Sequence, residues 1–202
     1  MLKTIKIVYQ DELILVVDKP AGLLVVPDLT GILNKEFFSP GAPHYYPCHR
    51  LDRETSGLVI YAKGKELQDK LMLQFKEHKV SKTYIAFVQG VIDKDNFKIS
   101  YPIENKPSLT EATILERRKN FSVVQINPLT GRTNQIRIHF KLMGHPLVGE
   151  RKFAFAKDFV LRFRRAALHA FRISFVHPVS NRTINLEANL PEDMKKFLLN
   201  NS

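Results

Sequence analysis

The sequence contains a single cysteine, Cys48, among 202 residues. One thiol excludes an internal disulfide and suits a reducing compartment. No apolar run approaches the roughly 18–20 residues that a membrane-spanning helix requires. Charges also interrupt the first segment, MLKTIKIVYQDEL, where a signal peptide would carry an apolar core. These absences predict a cytoplasmic protein with no membrane partner.

The motifs of several enzyme classes are missing as well. Ser56 has no Gly-x-Ser-x-Gly setting, the turn that exposes the nucleophile of many hydrolases. The segment KGK at 63–65 lacks the frame of a phosphate-binding P-loop. His44, Cys48 and His49 have no second ligand pair at the spacing of a zinc site. A zinc site and nucleotide-dependent chemistry are therefore disfavoured.

Acidic residues are few relative to basic ones. Lys and Arg number 31 against 20 Asp and Glu, which gives a net charge of +11. Such a surplus indicates a polyanionic partner, because binding to phosphates releases counterions. The stretch from Arg151 to Arg182 is especially basic, with Asp158 as its one acid. Its arginines are interleaved with apolar residues and form no single polar helix face, which favours nucleic acid over acidic lipid. The remaining alternative is a merely soluble basic surface.

Strand-like patterns outnumber helical ones. A short strand is predicted at 23–27, and the Gly- and Pro-rich stretch 28–47 predicts a loop. Apolar residues recur at helical spacing over 64–79 and 130–144, and a last short helix is predicted at 192–199. Most links are too short for parallel crossovers. The sequence therefore predicts an α+β fold with a mixed, mainly antiparallel β-sheet and flanking helices.

Asp52 lies between Arg50 and Arg53 in the stretch HRLDRETSG. An aspartate in this setting is commonly half of a surface ion pair worth about 0–1 kcal/mol. However, it precedes an apolar strand in a polar loop, where functional groups are often displayed, and a second arginine-bearing segment runs from Arg132 to Arg137. An arginine neighbour favours the ionised carboxylate, which can attack a sugar or base carbon without a metal. Spacing alone leaves both interpretations open.

Five segments of the chain resemble, in order, those of the RluA family of pseudouridine synthases. They are DELILVVDKPAGLLVVP (11–27), HRLDRETSGLVIYAK (49–63), KTYIAFVQG (82–90), PLTGRTNQIRIHFKLMGHPLVGE (128–150) and LHAFRISFVHP (168–178). The resemblance implies an enzyme that breaks the N-glycosidic bond of an RNA uridine, rotates the base and rejoins it through carbon. It also implies that no metal or cofactor is used, because the reaction is an isomerisation.

The resemblance implies a role for each matched residue. Asp52 matches the nucleophile, whose target is either C6 of the uracil or C1′ of the ribose. Tyr84 matches the tyrosine that stacks on the target base and removes the C5 proton. Arg137 matches the arginine that pairs with the aspartate, and Arg50 matches the one that extrudes the uridine. Arg53 receives no role.

The RNA partner is expected to be a stem-loop of ribosomal or transfer RNA, bound by a monomer. We expect it to be contacted by His49, Arg50, Arg132, Arg164 and Arg165. The chain begins almost directly at the first strand, so we expect a single catalytic domain over 1–202 with no amino-terminal S4-like RNA-binding domain. The competing hypothesis is a non-catalytic basic RNA-binding module on the same fold.

Two positions depart from the family pattern. Asn134 stands where the family usually has His, and Asn can exchange hydrogen bonds but cannot titrate. Glu150 stands where Asp is usual. The change at Glu150 is expected to affect local structure only.

Overall fold

The computed structural model describes residues 5–37, 43–154 and 161–201. The described residues form the strands β1 (Lys6–Gln10), β2 (Ile14–Lys19), β3 (Tyr45–Pro47), β4 (Ser56–Lys63), β5 (Ser81–Gln89), β6 (Asn96–Ile99), β7 (Thr110–Arg117), β8 (Phe121–Pro128), β9 (Leu168–Val176) and β10 (Thr183–Glu187). The helices are α1 (Thr30–Glu36), α2 (Lys65–Lys76), α3 (Gln135–Leu142) and α4 (Glu192–Asn200). The predicted α+β class with a mainly antiparallel sheet is confirmed.

The chain divides into two compact units. The first unit comprises Met1–Ser81 and Ala170–Ala188, and the second comprises Lys82–His169 and Asn189–Ser202. Among the described residues, each unit contains antiparallel strands and two of the four α-helices. The single catalytic domain expected over 1–202 stays a prediction.

In the first unit, β2 lies between β1 and β4, and β9 follows β4. Side chains alternate across a strand, so every second residue of β2 and β4 faces α2. The buried side chains of this face and of α2 are Ile14, Val16, Leu58, Ile60, Leu67 and Leu71. Burying an aliphatic side chain of this size contributes about 1.5–3 kcal/mol, so the predicted helix over 64–79 is held by its apolar stripe.

The segment after β2 differs from its prediction. Residues Val25–Leu29 form a kinked turn, in which Val26 is extended, in place of the expected strand, and α1 follows where a loop was expected. Leu29 and Leu33, four residues apart on one helical face, are fully buried. The Thr30 hydroxyl donates to the carbonyl of Val25 at 2.8 Å. Burial of this apolar pair therefore stabilises a helix that the local sequence indicates only weakly. Positions 38–42 of the predicted loop lie outside the described residues.

In the second unit, the sheet order is β5–β8–β7–β6. Phe197 of α4 packs against this sheet, with its ring centroid 5.7 Å from that of Phe87 and 5.3 Å from that of Phe121. The ring centroid of Phe163 lies 5.4 Å from that of Phe197. The final helix, which was predicted at 192–199, thus docks through an aromatic cluster.

Replacing Phe197 by Ala should lower the free energy of unfolding by about 3–5 kcal/mol, because it empties the centre of this cluster. Denaturant unfolding followed by circular dichroism measures the change. Leu199→Ala on the same helix is the matched control, because Leu199 is 78% exposed and should have almost no effect. Equal losses for the two variants would contradict the docking role of Phe197.

Candidate active site

Asp52 lies in the loop between β3 and β4, immediately before the buried strand β4. Its carbonyl accepts a hydrogen bond from Thr55 N at 3.1 Å, which closes a turn around the aspartate. Leu51 is buried, whereas Asp52 itself is half-buried. The loop is therefore anchored by its neighbours and leaves Asp52 partly accessible to solvent.

A buried lysine fixes the Asp52 loop through hydrogen bonds to backbone carbonyls. Lys19, at the end of β2, is fully buried, and its ammonium donates to the carbonyls of Pro20 (3.1 Å), Leu23 (2.9 Å) and Arg53 (3.3 Å). A buried charge is tolerated only when such acceptors satisfy it. Lys19 therefore ties the 20–23 turn to the residue that follows Asp52.

Arg53 and Gly22 add two hydrogen bonds to the same connection. Gly22 N donates to the Arg53 carbonyl at 2.8 Å, and Arg53 Nε donates to the Gly22 carbonyl at 3.1 Å. Arg53, to which the resemblance assigned no role, thus holds the loop of Asp52. The sequence signal for Lys19 was only the Lys-Pro-Ala-Gly break after an apolar strand.

Gly57 sets the close approach of β4 and β9 just beyond the Asp52 loop. Its φ of +116° favours glycine, and a β-carbon there would lie 2.6 Å from Ala170 N and closer still to the Ala170 carbonyl oxygen. The strand register also places Gly57 opposite Lys19. Gly57 therefore allows β4 to pack closely against β9 directly after the loop that carries Asp52.

The two residues before Leu51 have different surroundings. His49 Nε2 accepts a hydrogen bond from Ile60 N at 3.1 Å, and its ring lies 4.9 Å from that of Phe75. These contacts give His49 a structural role, and its contact with RNA stays a prediction. Arg50 is exposed, as a residue that contacts RNA must be.

Tyr84 lies on β5 in the second unit, opposite Ile126 of β8, and is buried. Lys82, two residues earlier, has its side chain on the same strand face. Burial lowers the pKa of Lys82 below its ordinary value. The sequence analysis did not select Lys82 as a candidate site residue. Its spacing of two residues from Tyr84 on a predicted strand was the signal that both side chains share one face.

Gln135 anchors the start of α3. Its Oε1 accepts hydrogen bonds from the Thr130 hydroxyl (2.7 Å) and from Arg132 N (3.0 Å). Its Nε2 donates to the Leu109 carbonyl (3.0 Å) and to the Thr110 hydroxyl (2.9 Å). These hydrogen bonds therefore fix the position of the amino-terminal end of α3, the helix that carries Arg137.

His139 anchors the next turn of α3. It is fully buried, and its ring nitrogens lie 2.9 Å from Thr110 Oγ1, 3.0 Å from Ser108 Oγ and 2.9 Å from the Tyr101 carbonyl. Burial lowers the pKa of His139. Protonation in acid therefore opposes the folded state, and this anchor weakens as the pH falls below the ordinary range of histidine.

Arg137 is held by a bidentate ion pair with Glu150. Arg137 Nε donates to Glu150 Oε2 at 2.6 Å, and Nη2 donates to Oε1 at 2.8 Å. Nη1 donates to Asn134 Oδ1 at 3.0 Å, and the Phe153 ring centroid lies 5.1 Å from the guanidinium carbon. Both departures from the family pattern, Asn134 and Glu150, thus contact Arg137. The expectation that the change at Glu150 affects local structure only stays a prediction.

The charge of Glu150 is stabilised within this pair. Burial raises its pKa, but the hydrogen bonds and positive charge of Arg137 outweigh that effect, aided by the N–H groups of Lys152 and Phe153. The net pKa lies below the ordinary value of glutamate. The pair therefore contributes its stability at neutral pH and loses it as the pH falls through the carboxylate range.

The predicted RNA-contacting arginines of the second unit divide into two kinds. Arg132 and Arg164 are exposed, and Arg132 donates from Nε and Nη2 to the Pro107 carbonyl at 3.2 Å. Arg165 is buried, and it donates to both carboxylate oxygens of Asp193 at 2.7 and 3.0 Å. Because its guanidinium is engaged by Asp193, Arg165 has a structural role, and its predicted contact with RNA stays a prediction. Lys157 of the basic stretch lies outside the described residues.

Asp52 belongs to the first unit, whereas Tyr84 and Arg137 belong to the second. The pairing of Arg137 with Asp52 stays a prediction. Within residues 5–37, 43–154 and 161–201, no three His, Cys, Asp or Glu side chains cluster closely enough to hold a metal ion. Burial raises the pKa of the Cys48 thiol to about 12, so this residue is a poor nucleophile. In the same ranges, no helix combines the length and apolarity needed to cross a membrane.

The family model described as RNA pseudouridylate synthase matches residues 13–142. The chain belongs to the RNA pseudouridylate synthase family. The match contains Asp52, Tyr84 and Arg137, whereas Glu150 and Arg164 lie beyond it. Membership in the pseudouridylate synthase family confirms the resemblance drawn from the five segments.

Two curated relatives and one solved structure illustrate the similarity. Ribosomal large subunit pseudouridine synthase D of Neisseria meningitidis is 35% identical over 95% of this chain and 60% of its own length. Dual-specificity RNA pseudouridine synthase RluA of Vibrio cholerae is 34% identical over 88% of this chain and 79% of its own. The structure of human RNA pseudouridylate synthase domain containing 1 is 30% identical with a TM-score of 0.81, covering 94% of this chain and 84% of that one. The chain spans about three fifths of the length of the first relative.

Gly57→Ala should destabilise the protein by about 3 kcal/mol or more, because the methyl group meets backbone and the φ is strained. The midpoint of thermal unfolding measures this loss. Gly31→Ala is the matched control, because a β-carbon at Gly31 in α1 meets nothing within 4 Å. That variant should be unchanged or more stable by up to about 1 kcal/mol. A Gly57 variant as stable as the Gly31 variant would contradict the close approach.

Proposed function

We propose that the protein is an RNA pseudouridine synthase that uses Asp52 as a nucleophile on a uridine flipped out of its RNA. The observation that carries the proposal is the placement of Asp52. It lies within the family-matched segment, in a loop that Lys19, Gly22 and Arg53 fix through hydrogen bonds. A fixed loop favours catalysis, because the carboxylate then approaches its target in one geometry.

The proposed reaction moves one bond and conserves all atoms. The Asp52 carboxylate attacks either C6 of the uracil or C1′ of the ribose, the C1′–N1 bond breaks, and the base rotates. C5 then bonds to C1′, the C5 proton leaves, and N1 gains a proton. The bond between Asp52 and the substrate breaks, which regenerates the carboxylate. Because the isomerisation involves no net redox change, we expect it to use no cofactor and no metal.

Three further residues have proposed roles in this reaction. Arg137 orients the Asp52 carboxylate. Tyr84 stacks on the flipped base and assists removal of the C5 proton. Arg50 is exposed and holds the flipped-out conformation, offsetting an unstacking cost of a few kcal/mol.

The proposed substrate is a stem-loop of ribosomal or transfer RNA, modified in the cytoplasm by a monomer. The net charge of +11 supports an RNA partner. The names of the Neisseria and Vibrio relatives support ribosomal RNA and more than one class of RNA, respectively. Exposed cations of the second unit, including Arg132 and Arg164, supply the proposed phosphate contacts.

Asp52→Ala should abolish release of tritium from RNA labelled at C5 of uridine, because no other group replaces the nucleophile. Single-turnover tritium release on a broad pool of RNA is the measurement. Asp69→Ala is the matched control, because Asp69 is an exposed carboxylate of α2 that pairs with Lys65.

Release retained by the Asp52 variant would overturn the nucleophile assignment. Release by neither the variant nor the wild type, with RNA binding intact, would favour the non-catalytic RNA-binding module. Thermal unfolding of each variant establishes that any loss of release does not come from misfolding.

Arg164→Ala should weaken RNA binding and lower the slope of log K against log salt by about one phosphate contact. Binding titrations at several salt concentrations measure the slope. Arg164→Lys keeps the charge and should keep the slope, which makes it the matched control. Arg165→Ala should instead lower stability, because it leaves Asp193 without its bidentate partner. An unchanged slope for Arg164→Ala would exclude Arg164 from the RNA contact.

A further inference from the structure

The orientation of Arg137 is set by side chains from two directions. Glu150 contacts the Nε–Nη2 edge with both carboxylate oxygens, and Asn134 accepts from Nη1 at 3.0 Å. A planar guanidinium bound through two parallel hydrogen bonds has little freedom to rotate. The Nε–Nη2 edge of Arg137 is therefore held toward Glu150.

Glu150 is itself immobilised. Its side chain is fully buried, and Oε1 also accepts hydrogen bonds from Lys152 N (2.8 Å) and Phe153 N (3.2 Å). The preceding Gly149 has a φ of +77°, and a β-carbon there would overlap the Arg165 carbonyl oxygen. The backbone on both sides of Glu150 is thus fixed, so its carboxylate is a rigid reference point for Arg137.

Asn134 is equally constrained. It precedes α3 with a φ of 55°, a left-handed conformation that asparagine tolerates better than most residues. Its side chain is short, whereas Glu150 is one methylene longer than the aspartate usual at that position. Compared with the family pattern, the side chain that contacts Nη1 is therefore shorter, and the side chain that contacts Nε and Nη2 is longer.

A buried ion pair is a weak source of net stability, because the cost of removing both charges from water nearly cancels their attraction. Packing alone therefore does not explain why Arg137 and Glu150 are both charged and both buried. Fixed orientation of a charged group is what such a pair supplies.

We propose that Glu150 and Asn134 act as a coupled pair of positioning residues that set the orientation of Arg137 for the reaction. The inference rests on the proposed function and deepens it. Neither residue touches the reacting atoms in this proposal, since each acts through the guanidinium. An aspartate at 150 is too short to keep both hydrogen bonds unless Arg137 moves, and a larger side chain at 134 accommodates that movement.

The kinetic experiment uses the full chain and tritium release under steady-state conditions. Glu150→Gln keeps the shape but removes the charge, and it should lower kcat about 10²-fold while KM changes little. Asn134→His and Glu150→Asp should each lower kcat about tenfold, whereas the double variant should return to within about threefold of the wild type, as expected for directly coupled residues. Asp193→Asn removes a carboxylate from the comparable Arg165 pair and is the matched control, with kcat unchanged.

A second readout does not depend on activity. The Nε–H of Arg137 gives a nuclear magnetic resonance signal that Arg137→Lys identifies by its disappearance. Glu150→Gln should raise the exchange rate of this proton with water about tenfold or more, because the hydrogen bond opens more often. The Asn134→His, Glu150→Asp double variant should restore slow exchange.

Each outcome decides between the proposals. If Glu150→Gln retains kcat within twofold, or loses kcat with Nε–H exchange unchanged, the positioning role is overturned while the proposed function stands. If the double variant loses the product of the two single losses, the coupling is overturned. If the wild type releases no tritium, the proposed function fails, and the exchange of Nε–H alone decides whether Glu150 and Asn134 orient Arg137.

Discussion

A buried cation is stable only where acceptors match its N–H groups, and this requirement holds together the loops of both units. Lys19 is satisfied by three backbone carbonyls, one of them next to Asp52. Arg137 is satisfied by Glu150 and Asn134, and Arg165 is held by Asp193. In each case the partners include a segment distant in the sequence or the start of another element. Each cation therefore fixes the position of a loop that a purely apolar contact would leave free to slide.

The basic character of the chain consequently serves two purposes. Part of the surplus lies on the surface, where Arg50, Arg132 and Arg164 are exposed to solvent. Another part is internal and supports structure, as Lys19 and Arg165 illustrate. A net charge predicts the class of partner, because it governs long-range attraction. It does not distinguish a cation that faces solvent from one that neutralises a buried carboxylate, and that distinction decides which substitutions we expect to weaken the proposed RNA binding.

Much of the fold could be predicted because its signals are local. The helical spacing of Leu67 and Leu71 and the alternation in β5 needed only a few neighbouring residues. The helix α1 was missed because its stability comes from the burial of Leu29 and Leu33 against other elements. Adjacency in sequence likewise could not separate Arg164 from Arg165, since Asp193, the partner of Arg165, is 28 residues further along the chain.

The candidate site was predictable to the extent that a motif names its own residues. The family resemblance implies Asp52, Tyr84 and Arg137 as site residues, and their roles stay predictions. Glu150 lies 13 residues beyond Arg137 and pairs with it only through the fold. Lys19 likewise contacts the Asp52 loop only through the fold, since Arg53 is 34 residues further along the chain. An amine donating to three carbonyls has no lone pair available, so acylating reagents should bypass Lys19 while the loop is closed. Its labelling rate, read by mass spectrometry, therefore reports how often the loop that carries Asp52 opens.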